Sequence, residues 1–196
     1  MRVVDDDAAV LKSLDRLLRS AGFAVRTFPS PLDFLRQHDD NAPGCVLLDL
    51  SMPGLDGLQL QQTLARMGDS CPVIFISGYG DVPSSVRAMK AGAVDFLTKP
   101  FDQNQLLAAV RTAIERDRCA RAARAQRSSI GRRVAALTPR ERQVMSHVVA
   151  GHLNKQIAAE LGIAEKTVKV HRARVMKKMD AGSVAELVAT VSSVRT

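Results

Sequence analysis

Asp5, Asp6, Asp49, Ser77 and Lys99 are the residues of this 196-residue chain whose types could share one reaction. Carboxylates brought within a few ångströms repel one another, a single pair at 4 Å by ~4 kcal/mol at an effective dielectric of 20. They need a cation. The candidate ligands are hard oxygens with neither His nor Cys among them, which favours Mg²⁺, an ion that keeps waters and takes phosphate oxygens as further ligands. A lysine and a hydroxyl on the same rim supply the donors a transferring phosphoryl group requires.

These side chains meet only if the elements that carry them end at one edge. Short apolar runs at Arg2–Val4, Ala24–Phe28, Cys45–Leu50, Val73–Ser77 and Asp95–Thr98 read as strands. Amphipathic patterns at Ala8–Ser20, Pro31–His38, Gly57–Met67, Pro83–Ala91 and from Gln103 onward read as helices. Strand alternating with helix five times predicts a parallel sheet covered on both faces, whose ligands bind beyond the carboxyl ends of the strands. Asp5 and Asp6 end the first strand, Asp49 lies near the end of the third, Ser77 ends the fourth and Lys99 follows the fifth. All are therefore expected on one rim.

The motifs V-V-D-D-D at 3–7, L-L-D-L-S-M-P-G-L-D-G at 47–57 and F-L-T-K-P-F at 96–101 resemble the receiver domain of two-component response regulators. I-S-G-Y-G-D-V-P at 76–83 with M-K-A-G-A-V-D-F at 89–96 resembles the FixJ type in particular. The resemblance implies the flavodoxin-like five-stranded sheet in the order 2-1-3-4-5, with residues 1–115 as the domain. It implies that Asp49 is the phospho-acceptor, that Asp5 and Asp6 hold Mg²⁺ with Asp49, and that Ser51 adds its backbone carbonyl to the metal. Ser77 becomes the switch hydroxyl, Lys99 the phosphate-pairing ammonium, Phe96 the aromatic switch residue, and Lys99–Pro100 a cis peptide. Only four residues precede Asp5, so the first strand is short for the family, a departure that bears on stability more than on chemistry.

Charge divides the chain. Residues 1–115 hold 11 Lys+Arg against 14 Asp+Glu, whereas residues 116–196 hold 17 against 6, so halves of −3 and +11 compose the net +8. A basic module beside a mildly acidic one points to nucleic acid. A membrane surface is the weaker reading, because the basic half has no aromatic residue to anchor an amphipathic helix, and no apolar run is long enough to span a bilayer. Cys45, Cys71 and Cys119 lack metal-ligand spacing and read as reduced thiols of a cytoplasmic protein. From Arg116 to about residue 134 an Arg- and Ala-rich helical extension leads into a linker, interrupted by Ser128, Ser129 and Gly131.

The remainder, 135–196, reads as an all-α domain of four short helices. Thr138-Pro139-Arg140-Glu141 is a helix-start signal with an N-cap, a first-turn proline and a capping glutamate. Asn154–Leu161, a turn at Gly162-Ile163-Ala164 and a longer basic helix at Glu165–Met179 have the form of a helix-turn-helix. One stripe of that helix, Lys166, Lys169, Val170, Ala173 and Lys177, would face a major groove.

L-T-P-R-E-R-Q-V at 137–144, G-H-L-N-K-Q-I-A at 151–158 and K-T-V-K-V-H at 166–171 resemble the LuxR-type DNA-binding domain. By that resemblance Lys169 and Val170 contact bases in double-stranded DNA. Lys166, Thr167, Arg174 and Lys178 contact phosphates, and Asn154 and Lys155 touch the DNA backbone from the preceding helix. Leu153 and Ala164 stand where the family has Ser, so two capping hydroxyls are missing.

The expected protein is a transcriptional response regulator phosphorylated on Asp49 by a sensor histidine kinase. It is expected to dimerise on phosphorylation through Val86–Ala91 and Asp95–Leu97, to bind promoters and to work with RNA polymerase. It would be no enzyme beyond its own phosphorylation and slow dephosphorylation. Two rivals stand beside it. A Mg²⁺-dependent phosphohydrolase would use Asp49 as nucleophile, but Ser51 leaves no second carboxylate two residues on to act as general acid. The other is a receiver whose basic module binds RNA or a protein.

Overall fold

The computed structural model describes residues 1–39, 42–78 and 82–195; positions 79–81 of the FixJ-like segment at 76–83 lie outside the described residues. The chain separates into two units, Met1–Arg121 and Ala122–Thr196.

In the first unit β1 (Arg2–Val4), α1 (Ala8–Ser20), β2 (Arg26–Phe28), α2 (Pro31–Arg36), β3 (Val46–Asp49), α3 (Gly57–Arg66), β4 (Val73–Ser77), α4 (Val82–Lys90) and β5 (Asp95–Thr98) alternate as the periodicity predicts. The five strands form one parallel sheet in the order β2-β1-β3-β4-β5. Strand side chains alternate between faces, and the two cores follow from that. Val3, Leu47, Ile74 and Ile76 pack with Leu11, Leu14 and Leu18 of α1 and with Leu106, Val110 and Ala113 of the next helix. Val4, Leu48 and Phe75 pack on the other face with Phe34, Leu60, Leu64 and Ala88. β2 is shorter than Ala24–Phe28 because its ladder partner begins at Arg2, paired with Arg26, and Ala24 instead accepts a bond from the Met1 ammonium at 2.7 Å.

α5 runs unbroken over Gln103–Ala135. Ser128, Ser129 and Gly131 do not interrupt it. A helical glycine costs about 1 kcal/mol relative to alanine, and here Ile130 is buried in the core of the second unit with Val134 packed beside it, which holds the helix through that stretch. Arg116–Arg121 fall in the first unit. There the buried Asp117 carboxylate accepts the Gly44 N–H at 2.7 Å, and Arg121 bonds both Asp117 and the Ala42 carbonyl at 2.8 Å.

The second unit adds α6 (Pro139–Val149), α7 (Asn154–Leu161), α8 (Glu165–Met179) and α9 (Val184–Arg195). Its core joins Val144, Val148, Ile157, Val168, Val175, Met179 and Leu187. Gly162 closes α7 in the left-handed conformation, φ 62°, which a residue without a Cβ adopts freely. The cysteines are unpaired, and burial pushes the Cys45 and Cys71 thiols up to about 11 and about 12, so both stay protonated at neutral pH.

Candidate functional site

The sheet order reverses direction between β1 and β3, and the crevice beyond their carboxyl ends is where such sheets bind ligands. Pairing Val4 with Leu48 puts Asp5 beside Asp49 there, and pairing Ser77 with Thr98 puts Lys99 on the same rim. The Lys99 ammonium donates to Asp5 Oδ2 and Asp49 Oδ1, each at 2.7 Å. Its backbone is fixed by a bond from the Lys99 N–H to the Ser77 carbonyl at 2.7 Å, ahead of a cis Lys99–Pro100 peptide.

The second oxygen of each carboxylate is also engaged. Asp49 Oδ2 accepts the Ser51 N–H at 2.7 Å, and Asp5 Oδ1 accepts the Asp7 N–H at 2.9 Å. Asp7 itself caps α1 through the Ala9 N–H at 2.7 Å, which separates its role from those of its two neighbours. Asp5 and Asp49 are buried, whereas Asp6, the next residue after Asp5, is exposed. Ser77 is buried at the end of β4. Phe96 is half-buried, its ring stacked on Phe75 with centroids 6.1 Å apart.

Gly57 makes the approach of α3 to this rim possible. A Cβ there would collide with the Asp49 carbonyl oxygen and stand 2.9 Å from the Phe75 ring.

The electrostatics are unbalanced toward negative charge. Burial is the largest influence on Asp5 and pushes its carboxyl above the ordinary value, against the bonds from Lys99 and the Asp7 N–H that pull it down. Burial lowers Lys99, but the hydrogen bonds to Asp49 and Asp5 outweigh it, and the ammonium is held above its ordinary value. One ammonium thus faces two buried carboxylates, Asp5 and Asp49, while the exposed Asp6 is not joined to them by any bond among the described residues; the pair offers oxygen donors alone. Such a donor set fits a hard dication of the Mg²⁺ kind and gives no hold to a soft metal.

In the second unit, Lys166, Thr167, Lys169, Val170, Arg174 and Lys177 are exposed on α8, opposite the buried Val168, Val175 and Met179. Lys169 is loosely paired with Glu165 at 3.6 Å. Lys155 is exposed at the start of α7, and Asn154 accepts from Arg172 at 2.9 Å, which ties the two helices together.

Lys178 does something the sequence does not reveal. Its ammonium donates to Glu141 at 2.7 Å and to the Ala136 carbonyl at 3.1 Å, so α8 is bonded to the start of α6. Glu141 completes the capping box with Thr138 and is held well below the usual carboxylate range, at about 2, first by Lys178 and then by the Thr138 N–H. Leu153 and Ala164 provide no side-chain cap to α7 and α8; at α7 the Leu153 N–H is instead bonded by Gln156 at 2.7 Å.

Residues 1–111 match the family model of the response regulator receiver domain, and residues 135–191 that of bacterial regulatory proteins of the luxR family. The chain is 48% identical over 186 residues to the response regulator protein TmoT of Ectopseudomonas mendocina, covering 95% of this chain and 84% of that protein. It is 47% identical over 186 residues to the transcriptional regulatory protein FixJ of Bradyrhizobium diazoefficiens, covering 95% and 91%. The solved structure of the response regulator StyR superposes with a TM-score of 0.91 at 46% identity over 97% of this chain and 96% of that one. The chain therefore belongs to the two-component response regulators of the FixJ type, DNA-binding transcription regulators in which a receiver domain is joined to a LuxR-type helix-turn-helix.

Proposed function

We propose that Asp49 is the phospho-acceptor of the receiver and that a phosphohistidine of a sensor histidine kinase is the donor. The Asp49 carboxylate attacks phosphorus, a P–O bond forms as the P–N bond to the imidazole breaks, and the imidazole leaves with the bond's electron pair. An ionised carboxylate needs no general base. The observation that carries this reading is the Lys99 ammonium 2.7 Å from both Asp5 and Asp49, since a cation so fixed meets charge developing on transferring oxygens. Asp5, Asp6, Asp49 and the Ser51 carbonyl would hold Mg²⁺, which when bound neutralises carboxylate and phosphoryl charge together.

Once phosphorylated, Asp49 would draw the Ser77 hydroxyl and Lys99 toward the new oxygens, and Phe96 would turn inward behind them. A hundredfold change in output requires ~2.7 kcal/mol of differential stabilisation, within reach of two charge-assisted hydrogen bonds. The receiver, taken as 1–115, would then dimerise through α4 and β5; Val86 and Met89, exposed on α4 beside Arg87 and Lys90, support a reversible interface of mixed polarity.

The output domain, 135–196, would bind double-stranded DNA with α8 in the major groove. Lys169 and Val170 would contact bases, with Lys166, Thr167, Arg174, Asn154 and Lys155 on the backbone. Lys178 supports this face by anchoring α8 rather than as a free phosphate contact. A dimer would meet half-sites about one helical turn apart, in the cytoplasm and with RNA polymerase as the further partner. No described helix is long and apolar enough to cross a membrane.

A gel-shift titration on promoter DNA tests the whole reading. A small-molecule phosphodonor with Mg²⁺ is expected to tighten binding of the native chain and leave Asp49→Asn unaffected. Equal binding with and without donor would contradict it.

A further inference from the structure

A second cluster of ligand atoms lies within the DNA-binding unit. His147 in the last turn of α6, His152 in the loop that follows and Glu160 near the end of α7 converge from three segments. His147 Nδ1 is 3.2 Å from His152 Nδ1 and 2.9 Å from Glu160 Oε2, and His152 Nδ1 is 3.3 Å from Glu160 Oε1.

Protons on neutral rings do not satisfy this triangle. If both Nδ1 atoms carry hydrogen, both bond the carboxylate but oppose each other. If only one does, the other presents a lone pair to the carboxylate oxygen. A cation at the centre makes all three approaches favourable. Tetrahedral Zn²⁺ with bonds of about 2.0–2.1 Å keeps its ligand atoms about 3.3 Å apart, close to the 2.9–3.3 Å spacings here, in which each imidazole faces a different oxygen of the Glu160 carboxylate.

The donor types choose the metal class. Two imidazoles with one carboxylate suit Zn²⁺ and its neighbours, whereas the all-oxygen pocket around Asp49 suits Mg²⁺. The His147, His152 and Glu160 side chains keep 25%, 37% and 45% of their exposure, so an ion has a way in and room for a water as fourth ligand.

We propose that His147, His152 and Glu160 form a transition-metal site of the Zn²⁺ class that clamps α7 to the end of α6. The ion fastens the first helix of the helix-turn-helix, whose next contact is the Arg172–Asn154 bond to α8. Binding to the folded unit raises its stability by mass action.

Co²⁺ is the probe, added to the untagged full chain after chelator treatment and with Mg²⁺ in excess to fill the acidic pocket. One equivalent is expected to give the visible d–d absorption of a four- or five-coordinate nitrogen and oxygen site, which Zn²⁺ then abolishes. His152→Gln and Glu160→Gln, both at solvent-accessible positions, are expected to weaken Co²⁺ binding at least tenfold each while circular dichroism without metal matches the native chain. No absorption, or absorption that either substitution leaves in place at the same Co²⁺ concentration, overturns the proposal.

Discussion

Lys178 in α8 and Glu141 in α6 are joined by a 2.7 Å bond across 37 positions of sequence, and Glu141 in turn receives the Thr138 N–H at 2.9 Å. Glu141 is thereby held at about 2, below its ordinary 4.5. The unfolded chain therefore takes up a proton more readily, so the stability this network contributes is present above about pH 4.5 and is lost as pH falls toward 2. Acid unfolding of the second unit, followed by circular dichroism, should move to higher pH in Lys178→Ala. An unchanged acid transition would contradict the role given to this pair.

Leu153 and Ala164 precede α7 and α8 without side-chain caps. Ala164→Ser should stabilise the second unit by about 0.5–1 kcal/mol, because a hydroxyl at this N-cap position can accept a first-turn N–H. Leu153→Ser should do likewise, since Leu153 is 69% exposed and gives up no core packing. Denaturant titration measures both, and a loss of stability in either would mean that the helix start cannot turn its hydroxyl inward.

Gly57→Ala should disturb the acceptor site from outside its chemistry. The new methyl collides with the Asp49 carbonyl oxygen, backbone that cannot swing aside as a side chain can. A cost of about 1–3 kcal/mol is expected for such overpacking, with slower labelling by a phosphodonor. Thermal unfolding and labelling kinetics check the two parts separately.

How far these features can be read from sequence depends on their range. The five strand ends are legible because short continuous apolar runs such as Val3–Val4 and Val46–Leu48 mark strands buried on both faces, and a parallel sheet puts every carboxyl end on one edge. Lys99 and Asp49, 50 positions apart, meet for that reason alone. The Lys178–Glu141 bond, the Asp117–Gly44 bond and the His147–His152–Glu160 triangle have no such signal, since each depends on how helices pack and not on any repeat along the chain. The continuation of α5 through Gly131 is a case of tertiary burial, at Ile130, overriding local propensity.

Base and phosphate contacts on α8 should separate by their response to sequence. Lys169→Ala is expected to reduce discrimination between operator and unrelated duplex by ~1–3 kcal/mol. Lys166→Ala should weaken both alike and lower the salt dependence by about one unit of slope. Titrations at several salt concentrations distinguish them, and equal behaviour of the two variants would remove the division of roles.

Locating the phosphoryl group tests the central claim most directly. Labelling the chain with a small-molecule phosphodonor and Mg²⁺, then reducing with borohydride, converts a phosphorylated aspartate to homoserine that peptide mass spectrometry can place. Conversion is expected at residue 49 alone, and none in Asp49→Asn. Conversion at another aspartate in the native chain, or labelling that persists undiminished in the variant, would contradict it.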